Sequence, residues 1–196
     1  AAGKVRLGRM LLEGSGVAKN ERAAFAWFWS AAEQDDVDAW NMVGRCFENG
    51  WGVVRDYSHA AHWFSRAAEA GDVWAQYNLG HLYLNGLGVP RDASVAVNWY
   101  RAASDQGHHR AMNLLGRCHE QGWGVDEDGE IAARWYERSA KGGYFRGQFN
   151  HATVLHEKGA REEAVHWLEQ AAASAPSTSR APIAAKAVEW AVALGN

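Results

Sequence analysis

Tryptophan recurs in this chain at a fixed interval of 36 residues, and this period restricts the possible folds more than any other feature. Two glycine series keep the same interval. The three series are Trp27, Trp63, Trp99 and Trp135; Gly8, Gly44, Gly80 and Gly116; and Gly16, Gly52, Gly88 and Gly124, each of the last four followed by valine. They indicate four full repeats that stack on their neighbours. A fifth repeat is shorter, because Trp167 follows Trp135 by only 32 residues and the GxGV element is missing.

Each repeat has the pattern of two helices. In repeat three, Ala75, Leu79 and Leu82 recur at helical spacing and form one apolar stripe. Gly86 predicts a left-handed end to this first helix, and Asp92 predicts the N-cap of the second. No strand-like alternation of useful length appears in the chain.

The second helix of each repeat combines several alanines with the periodic tryptophan. Alanine lets helix axes approach closely, and we expect the tryptophan to fill the space between layers. The predicted fold class is therefore all-α, a right-handed α-solenoid of stacked antiparallel helix pairs.

The same residues carry a family resemblance. The segment AQYNLGHLYLNGLGVPRDASVAVNWYRAASDQG (75–107) resembles a Sel1-like repeat, the longer-loop relative of the tetratricopeptide repeat, and the resemblance extends from residue 3 to about residue 173. It implies an adaptor that assembles complexes or binds protein partners, often in bacteria. Repeat five departs from the pattern, because its tight turn at Lys158-Gly159 is closer to a tetratricopeptide repeat.

The repeat pattern also predicts where the array ends. We expect an array over residues 1–173, with repeats at about 1–35, 36–71, 72–107, 108–143 and 144–173. The composition of residues 174–181 predicts a loop, and Pro182 is placed to open a capping helix over 182–196. Residue 1 is alanine at a helical repeat position, which favours a trimmed or mature form of a longer chain.

Composition and charge argue against several classes of protein. With 47% apolar residues the chain is not intrinsically disordered, and 20 basic against 23 acidic residues argue against a dedicated nucleic-acid binder. The longest run without a charge, 73–90, is shorter than a membrane span and is interrupted by polar residues. Cys46 and Cys118 share one apolar repeat position and lie on the order of 20 Å apart, too far for a disulfide. Unpaired core thiols slightly favour the cytoplasm, while a periplasmic or secreted location stays open because the native N-terminus is not visible.

The sequence predicts neither a metal site nor a catalytic one. His59 and His62 have helical spacing, but the repeat alignment places them on different faces, and no further ligand joins them. No serine is followed three residues later by lysine, and no KTG motif occurs. We therefore expect no metal, no cofactor and no enzymatic activity.

A partner is expected to bind the concave wall that the first helices line in a solenoid. The groove residues that we predict are Arg9, Asn41, Arg45, Glu48, Trp74, Tyr77, His81, Arg110, Asn113, Arg117, Glu120, Arg146 and Phe149. Within this set, Asn41 with Arg45 and Asn113 with Arg117 repeat one i,i+4 arrangement, which resembles the carboxylate clamps of tetratricopeptide domains. The alternative is local, since Arg45–Glu48 and Arg117–Glu120 have the spacing of i,i+3 ion pairs on a solvated helix.

Two further regularities lie close to the loops. The segments VGRCFENGWGV (43–53) and LGRCHEQGWGV (115–125) agree at eight of eleven positions, so repeats two and four are more alike than neighbours are. Either a 72-residue block was duplicated or one surface is needed twice. At the loop position between the glycines, Trp51, Leu87 and Trp123 could form an exposed apolar ridge or fold down over the next loop.

The function predicted from these features is a non-enzymatic adaptor that binds a protein or peptide segment in the groove. A small-molecule-binding or hydrolase-like accessory protein is the first alternative, and a structural homo-oligomer is the second. We expect a monomer or a weak homo-oligomer with no nucleic-acid partner and no membrane span.

Overall fold

The computed structural model describes residues 2–194, and this part of the chain folds into eleven α-helices without a strand. The helices are α1 (Ala2–Glu13), α2 (Glu21–Ala32), α3 (Val37–Asn49), α4 (Tyr57–Glu69), α5 (Val73–Asn85), α6 (Ala93–Asp105), α7 (His109–Gln121), α8 (Gly129–Lys141), α9 (Phe145–Glu157), α10 (Arg161–Ser174) and α11 (Ser177–Val192). Five helix pairs thus correspond to the five repeats. They lie in two compact bodies: the N-terminal body, residues 2–103, and the C-terminal body, residues 104–194.

Most second helices start at an acidic or amide cap. Asp56 accepts hydrogen bonds from the backbone N–H groups of Ser58 and His59, and Asp128 accepts one from Ile131. These bonds satisfy donors that a helix start leaves without a partner. The predicted cap of repeat three is confirmed, since Asp92 accepts from the N–H of Val95 at 3.0 Å.

The first helices α3, α5 and α7 end at left-handed glycines, as the sequence predicts. Gly86 has φ +67°, and its equivalents Gly50 and Gly122 have φ +76° and +65°. Only glycine adopts this conformation without a steric cost, so these positions turn the chain from the first helix into the loop.

The core of each full repeat depends on a glycine that receives an aromatic ring. An added Cβ at Gly44 would lie 2.6 Å from Cδ1 of Phe64, and one at Gly116 would lie 2.5 Å from Cε1 of Tyr136. The same relation joins the first and second helices of repeats one and three, at Gly8 with Phe28 and Gly80 with Tyr100. All four rings are buried with at most 1% exposure. The 36-residue glycine series therefore marks the place where the two helices of a repeat meet.

Repeat five has a different pair of residues at the two equivalent positions. Ala152 stands 36 residues after Gly116, and Leu168 follows Trp167 as Tyr136 follows Trp135. Both side chains are 0% exposed and belong to one core cluster. Compared with the other repeats, the first-helix residue is larger, alanine instead of glycine, and the second-helix residue is smaller, leucine instead of an aromatic ring. Dense packing requires such a compensation.

The periodic tryptophans are less buried than predicted, although Trp99 and Trp167 still pack against the core clusters. Trp27 is 38% exposed, Trp99 is half-buried, and only Trp63, at 9% exposure, is a core residue. The buried ring is the next residue along, for example Phe28 or Phe64, because that position points at the glycine of the first helix.

The second glycine series holds each loop against the preceding repeat in the N-terminal body. An added Cβ would lie 2.2 Å from the carbonyl oxygen of Glu21 at Gly52, and 2.2 Å from the carbonyl carbon of Tyr57 at Gly88. Each glycine therefore lies directly against the first turn of the preceding second helix, and a side chain would separate them.

The C-terminal segment differs from the sequence prediction. Residues 174–181 are not a loop: α10 continues to Ser174, and α11 starts already at Ser177. Pro176 takes the extended conformation before α11, and its carbonyl oxygen accepts from the N–H groups of Ser179 and Arg180. Pro182 accordingly lies inside the helix rather than at its start. Ile183 and Ala187 pack on the core as expected of a cap, whereas residues 195 and 196 of the predicted helix, like residue 1, lie outside the described residues.

The two cysteines are core residues, as predicted. Cys46 and Cys118 are free thiols with 0% exposure, and burial raises their pKa to about 12 and about 11. Both are therefore uncharged and unreactive at neutral pH. No helix within residues 2–194 has the length and apolar character needed to cross a membrane.

The glycine contact yields a stability prediction. Gly44→Ala should destabilise the protein by about 1–3 kcal/mol, because the new methyl group overlaps the Phe64 ring. Gly44→Ala combined with Phe64→Leu should recover part of that loss, since it reproduces the alanine–leucine pair of repeat five. Urea unfolding followed by circular dichroism measures both changes.

Gly129→Ala is the matched control for this change. Gly129 begins α8 and has no atom within 4 Å of an added Cβ, so alanine should be neutral or slightly stabilising there. Equal effects at Gly44 and Gly129 would contradict the packing role of the glycine series.

A histidine replaces the acidic cap of the first helix in repeat four. His108 occupies the position of Asp36 and Asp72, and its Nδ1 accepts from the N–H of Ala111 at 3.2 Å. An accepting Nδ1 requires a neutral ring. Burial, followed by the nearby charges of Arg110 and His109, lowers the pKa of His108 from 6.5 to about 4.

This cap predicts a loss of stability in acid. Between pH 4 and 6.5 the unfolded chain binds a proton that folded His108 does not, so the free energy of unfolding falls by roughly 3 kcal/mol as the pH drops through that window. His108→Asn keeps a cap acceptor that does not titrate. Urea unfolding at pH 7 and pH 4.5 should therefore show a smaller loss in the variant, and identical losses would contradict the assignment.

Candidate functional site

The candidate site lies on the first helices of the repeats, where the sequence places most of the predicted groove residues. In the N-terminal body, Arg9 of α1 forms an ion pair with Asp38 of α3. This pair bridges two consecutive first helices, so Arg9 already has an acidic partner within the protein.

Asn41 and Asn113 do not face a partner surface, contrary to the clamp prediction. Their side chains are only 5% and 4% exposed. Oδ1 of Asn41 accepts from Nδ2 of Asn78 at 3.3 Å, and Oδ1 of Asn113 accepts from Nδ2 of Asn150 at 2.9 Å. Each asparagine therefore joins its own first helix to the first helix of the next repeat, because a buried amide needs a hydrogen-bond partner.

Arg45 and Arg117 each lie over a loop tryptophan instead. The guanidinium carbon of Arg45 is 5.1 Å from the ring centroid of Trp51, and that of Arg117 is 5.2 Å from the ring centroid of Trp123. Such stacking is a cation–π interaction. Nη1 of Arg45 also lies 3.7 Å from Sδ of Met42.

The alternative of local ion pairs is not realised. Among residues 2–194, the salt bridges include neither Arg45 with Glu48 nor Arg117 with Glu120. Burial raises the pKa of Glu48, partly offset by Arg45 and by a hydrogen bond from Asn49. Neither arginine has a carboxylate within ion-pair distance in the described part of the chain.

Glu120 forms a hydrogen bond with a tyrosine at the edge of the core. Its carboxylate accepts a hydrogen bond from the hydroxyl of Tyr136 at 3.0 Å. Tyr136 is the ring that packs on Gly116, so this bond ties a first-helix surface residue to the second helix of the same repeat. Burial and the adjacent Glu120 raise the pKa of Tyr136, so the hydroxyl stays protonated and can donate.

The remaining predicted residues of the N-terminal body lie on α5. Trp74 is 46% exposed, and its ring centroid is 6.4 Å from that of half-buried Tyr77. His81 is exposed, with Nδ1 3.2 Å from Nδ2 of Asn85, and partial burial lowers its pKa. This surface is therefore aromatic and uncharged at neutral pH.

The corresponding surface of the C-terminal body is basic. The guanidinium carbon of Arg110 lies 5.7 Å from the ring centroid of Tyr144, and that of Arg146 lies 5.6 Å from the ring centroid of Phe145. Both arginines are exposed, while Phe149 is half-buried.

The loop residues Trp51, Leu87 and Trp123 are half-buried, so none of them forms the exposed ridge that was one of the two interpretations. Trp51 and Leu87 pack against the core cluster of the N-terminal body. The loop glycines bring these side chains down onto the repeat, which leaves the tryptophan rings available as platforms for Arg45 and Arg117.

Three functional details were missed at the sequence level. Asn78, Asn150 and Tyr136 bond to predicted residues but were not predicted themselves. A signal was present for the asparagines, because Asn78 and Asn150 are separated by 72 residues, as Asn41 and Asn113 are. Within residues 2–194 no group of three or more histidine, cysteine or acidic side chains is arranged to hold a metal ion.

Comparison with known proteins identifies the repeat. The Sel1 repeat profile matches residues 1–36, 37–72, 75–108, 109–144 and 146–175, so it includes the shorter fifth repeat. No protein with a curated description is similar enough to match this chain.

Solved structures of Sel1-type proteins superpose on most of the chain. A protective antigen of uropathogenic Escherichia coli with an SLR fold is 32% identical, with a TM-score of 0.77 over 87% of this chain, and the match spans 38% of the antigen. A Sel1 repeat protein from Oxalobacter formigenes is 28% identical, with a TM-score of 0.79 over 91% of this chain and 75% of its own. An immunity protein from Pseudomonas aeruginosa, Pa5087, is 14% identical with a TM-score of 0.62, covers 88% of this chain and 65% of its own, and shows the fold alone. On its repeat period, its helix pairs and these matches, the chain belongs to the Sel1 repeat family.

Proposed function

We propose that this protein is a non-enzymatic scaffold that binds acidic segments of a partner protein on its first helices, with Arg45 as the carboxylate contact in the N-terminal body and Arg117 as the one in the C-terminal body. Sel1 repeats generally mediate protein–protein interactions, and their proteins are typically scaffolds. The proposal names the chemistry of the partner and the residues that meet it.

The observation that carries the proposal is the contrast among arginines at one repeat position. Arg9, Arg45 and Arg117 are spaced by 36 and 72 residues along the first helices. Arg9 is paired with Asp38, whereas Arg45 and Arg117 have no carboxylate within ion-pair distance in the described chain. A positive charge held at the surface without an acidic partner favours a ligand that supplies one.

The tryptophan platform prepares these arginines for a carboxylate. A cation–π contact holds a guanidinium over the indole and leaves N–H donors at its edge for a ligand. Two of these donors can then bind one carboxylate in parallel, which is the strongest geometry for such a pair. Since the stack already restricts the side chain, less conformational entropy is lost on binding.

The neighbouring surfaces offer further contacts to a bound segment. Trp74 exposes 46% of its surface on α5 in the N-terminal body, and tryptophan is frequent at binding hot spots. In the C-terminal body, Arg146 is exposed on α9 beside half-buried Phe149. An acidic segment with interspersed apolar side chains fits both surfaces.

The double variant Arg45→Ala/Arg117→Ala tests the proposal. A short fluorescent peptide of alternating glutamate and alanine should bind the wild type and lose its affinity for the variant. Each lost charged hydrogen bond should cost about 1.5–3 kcal/mol. Fluorescence anisotropy titration measures the affinity, and a glutamine analogue of the peptide should bind both proteins equally weakly.

Arg9→Ala is the matched control, because it removes an arginine from the same repeat position that already has Asp38 as partner. It should leave peptide affinity unchanged, and circular dichroism should show that all variants keep the helical fold. An acidic peptide that binds wild type and double variant equally would overturn the proposal.

A further inference from the structure

One arrangement of side chains occurs twice in the protein. In the N-terminal body Arg45 stacks on Trp51 at 5.1 Å, one turn of helix after buried Asn41. In the C-terminal body Arg117 stacks on Trp123 at 5.2 Å, one turn after buried Asn113. We call Arg45 with Trp51 the first station and Arg117 with Trp123 the second station.

The asparagine bridges fix the same neighbour beside each station. Asn41 bonds Asn78 of repeat three, and Asn113 bonds Asn150 of repeat five, so each bridge links residues 37 positions apart. The aromatic residues that precede the two donor asparagines, Tyr77 and Phe149, also correspond. The duplicated feature is therefore a two-repeat module, present once in each compact body.

The fold alone does not require this duplication. Repeat one has Arg9 but carries Ser15 at the loop position and uses Asp38 as an ion-pair partner. Repeat three has His81 and Leu87 at the corresponding two positions. Both repeats keep the glycine–aromatic contact, so the core is compatible with other residues at the station positions.

The charges near the stations are also alike. Glu48 and Glu120 follow the two arginines by three residues, and neither is within ion-pair distance of its arginine. Glu48 is half-buried, and Glu120 accepts from the hydroxyl of Tyr136. Each station therefore presents one guanidinium that has no carboxylate within ion-pair distance in the described chain.

We infer that the protein is bivalent: the two stations bind the same acidic motif at the same time, and its partner presents that motif in two copies. This inference rests on the proposed function, since it assumes that the arginines bind carboxylates. It adds the number of sites and the kind of partner, a protein with a repeated acidic motif. Two such contacts made by one partner increase affinity without any new contact, because the second binding step becomes intramolecular.

Titration calorimetry with the short glutamate–alanine peptide tests the number of sites. The wild type should bind two peptides per chain with similar affinities. Arg45→Ala and Arg117→Ala should each bind one peptide, with the affinity of the remaining station unchanged, and Arg9→Ala should still bind two. Indole N–H resonances of Trp51 and Trp123, assigned by Trp→Phe variants, should both shift in the wild type, and only the intact station should respond in each single variant.

A tandem peptide supplies the second readout. Two copies of the acidic motif, joined by glycine–serine linkers of graded length, should bind the wild type about 100-fold or more tightly than one copy at the best length. That gain should vanish in either single variant.

The possible failures are distinguishable. One peptide per wild-type chain, or loss of all binding in one single variant, would overturn bivalency while leaving the proposed function in place. Absence of any binding by acidic peptides would overturn the proposed function as well.

Discussion

The contact between a glycine on the first helix and an aromatic ring on the second is the interaction on which the rest of the structure depends. At Gly44 and Gly116 an added Cβ would overlap the ring of Phe64 or Tyr136, so only glycine lets the two helices approach this closely. The close approach buries one large ring per repeat, and burial of apolar surface is the main favourable term in folding. In repeat five the equivalent positions hold Ala152 and Leu168, which are both buried in one core cluster.

Because this contact fixes each helix pair, the outward positions of the first helices are left open to variation. One repeat position shows this variation. Arg9 forms an ion pair there, Arg45 and Arg117 lie over tryptophan rings, and His81 is uncharged, while the helix pairs keep the same core contact. Buried asparagine bridges then connect consecutive first helices beside the two stacked arginines. The core thus supplies the rigid support that a binding surface needs, and the surface positions supply its specificity.

Much of the fold could be predicted from the sequence, because its signals are local or periodic. The repeat period, the cap at Asp92, the left-handed Gly86 and the buried cysteines depend on spacing and on conformational preferences that a sequence displays directly. The identity of the buried ring could not be predicted in this way, since Trp27 and Phe28 are adjacent and both apolar, and only helix orientation separates them. Similarly, α11 begins at Ser177 because the carbonyl oxygen of Pro176 accepts the first backbone hydrogen bonds of the helix. The composition of this segment is typical of a loop and therefore does not predict this helix start.

The site was predicted less completely than the fold, because side-chain partners lie in other repeats. Asn41 and Asn113 resemble clamp residues in sequence, but their side chains are hydrogen-bonded to asparagines of the next repeat. Arg45 and Arg117 remain candidates because the structure gives them tryptophan platforms rather than carboxylates. The central claim is that a partner's carboxylate binds these two guanidinium groups. A double-mutant cycle at one station tests this claim most directly. The cycle uses two proteins, Arg45→Ala and Arg45→Ala/Arg117→Ala, and two peptides, one with glutamates and one with glutamines in their place. Calorimetry measures the affinities of the four combinations. The account predicts a coupling energy of about 1.5–3 kcal/mol, the range for a charged hydrogen bond, whereas a coupling energy near zero would contradict it.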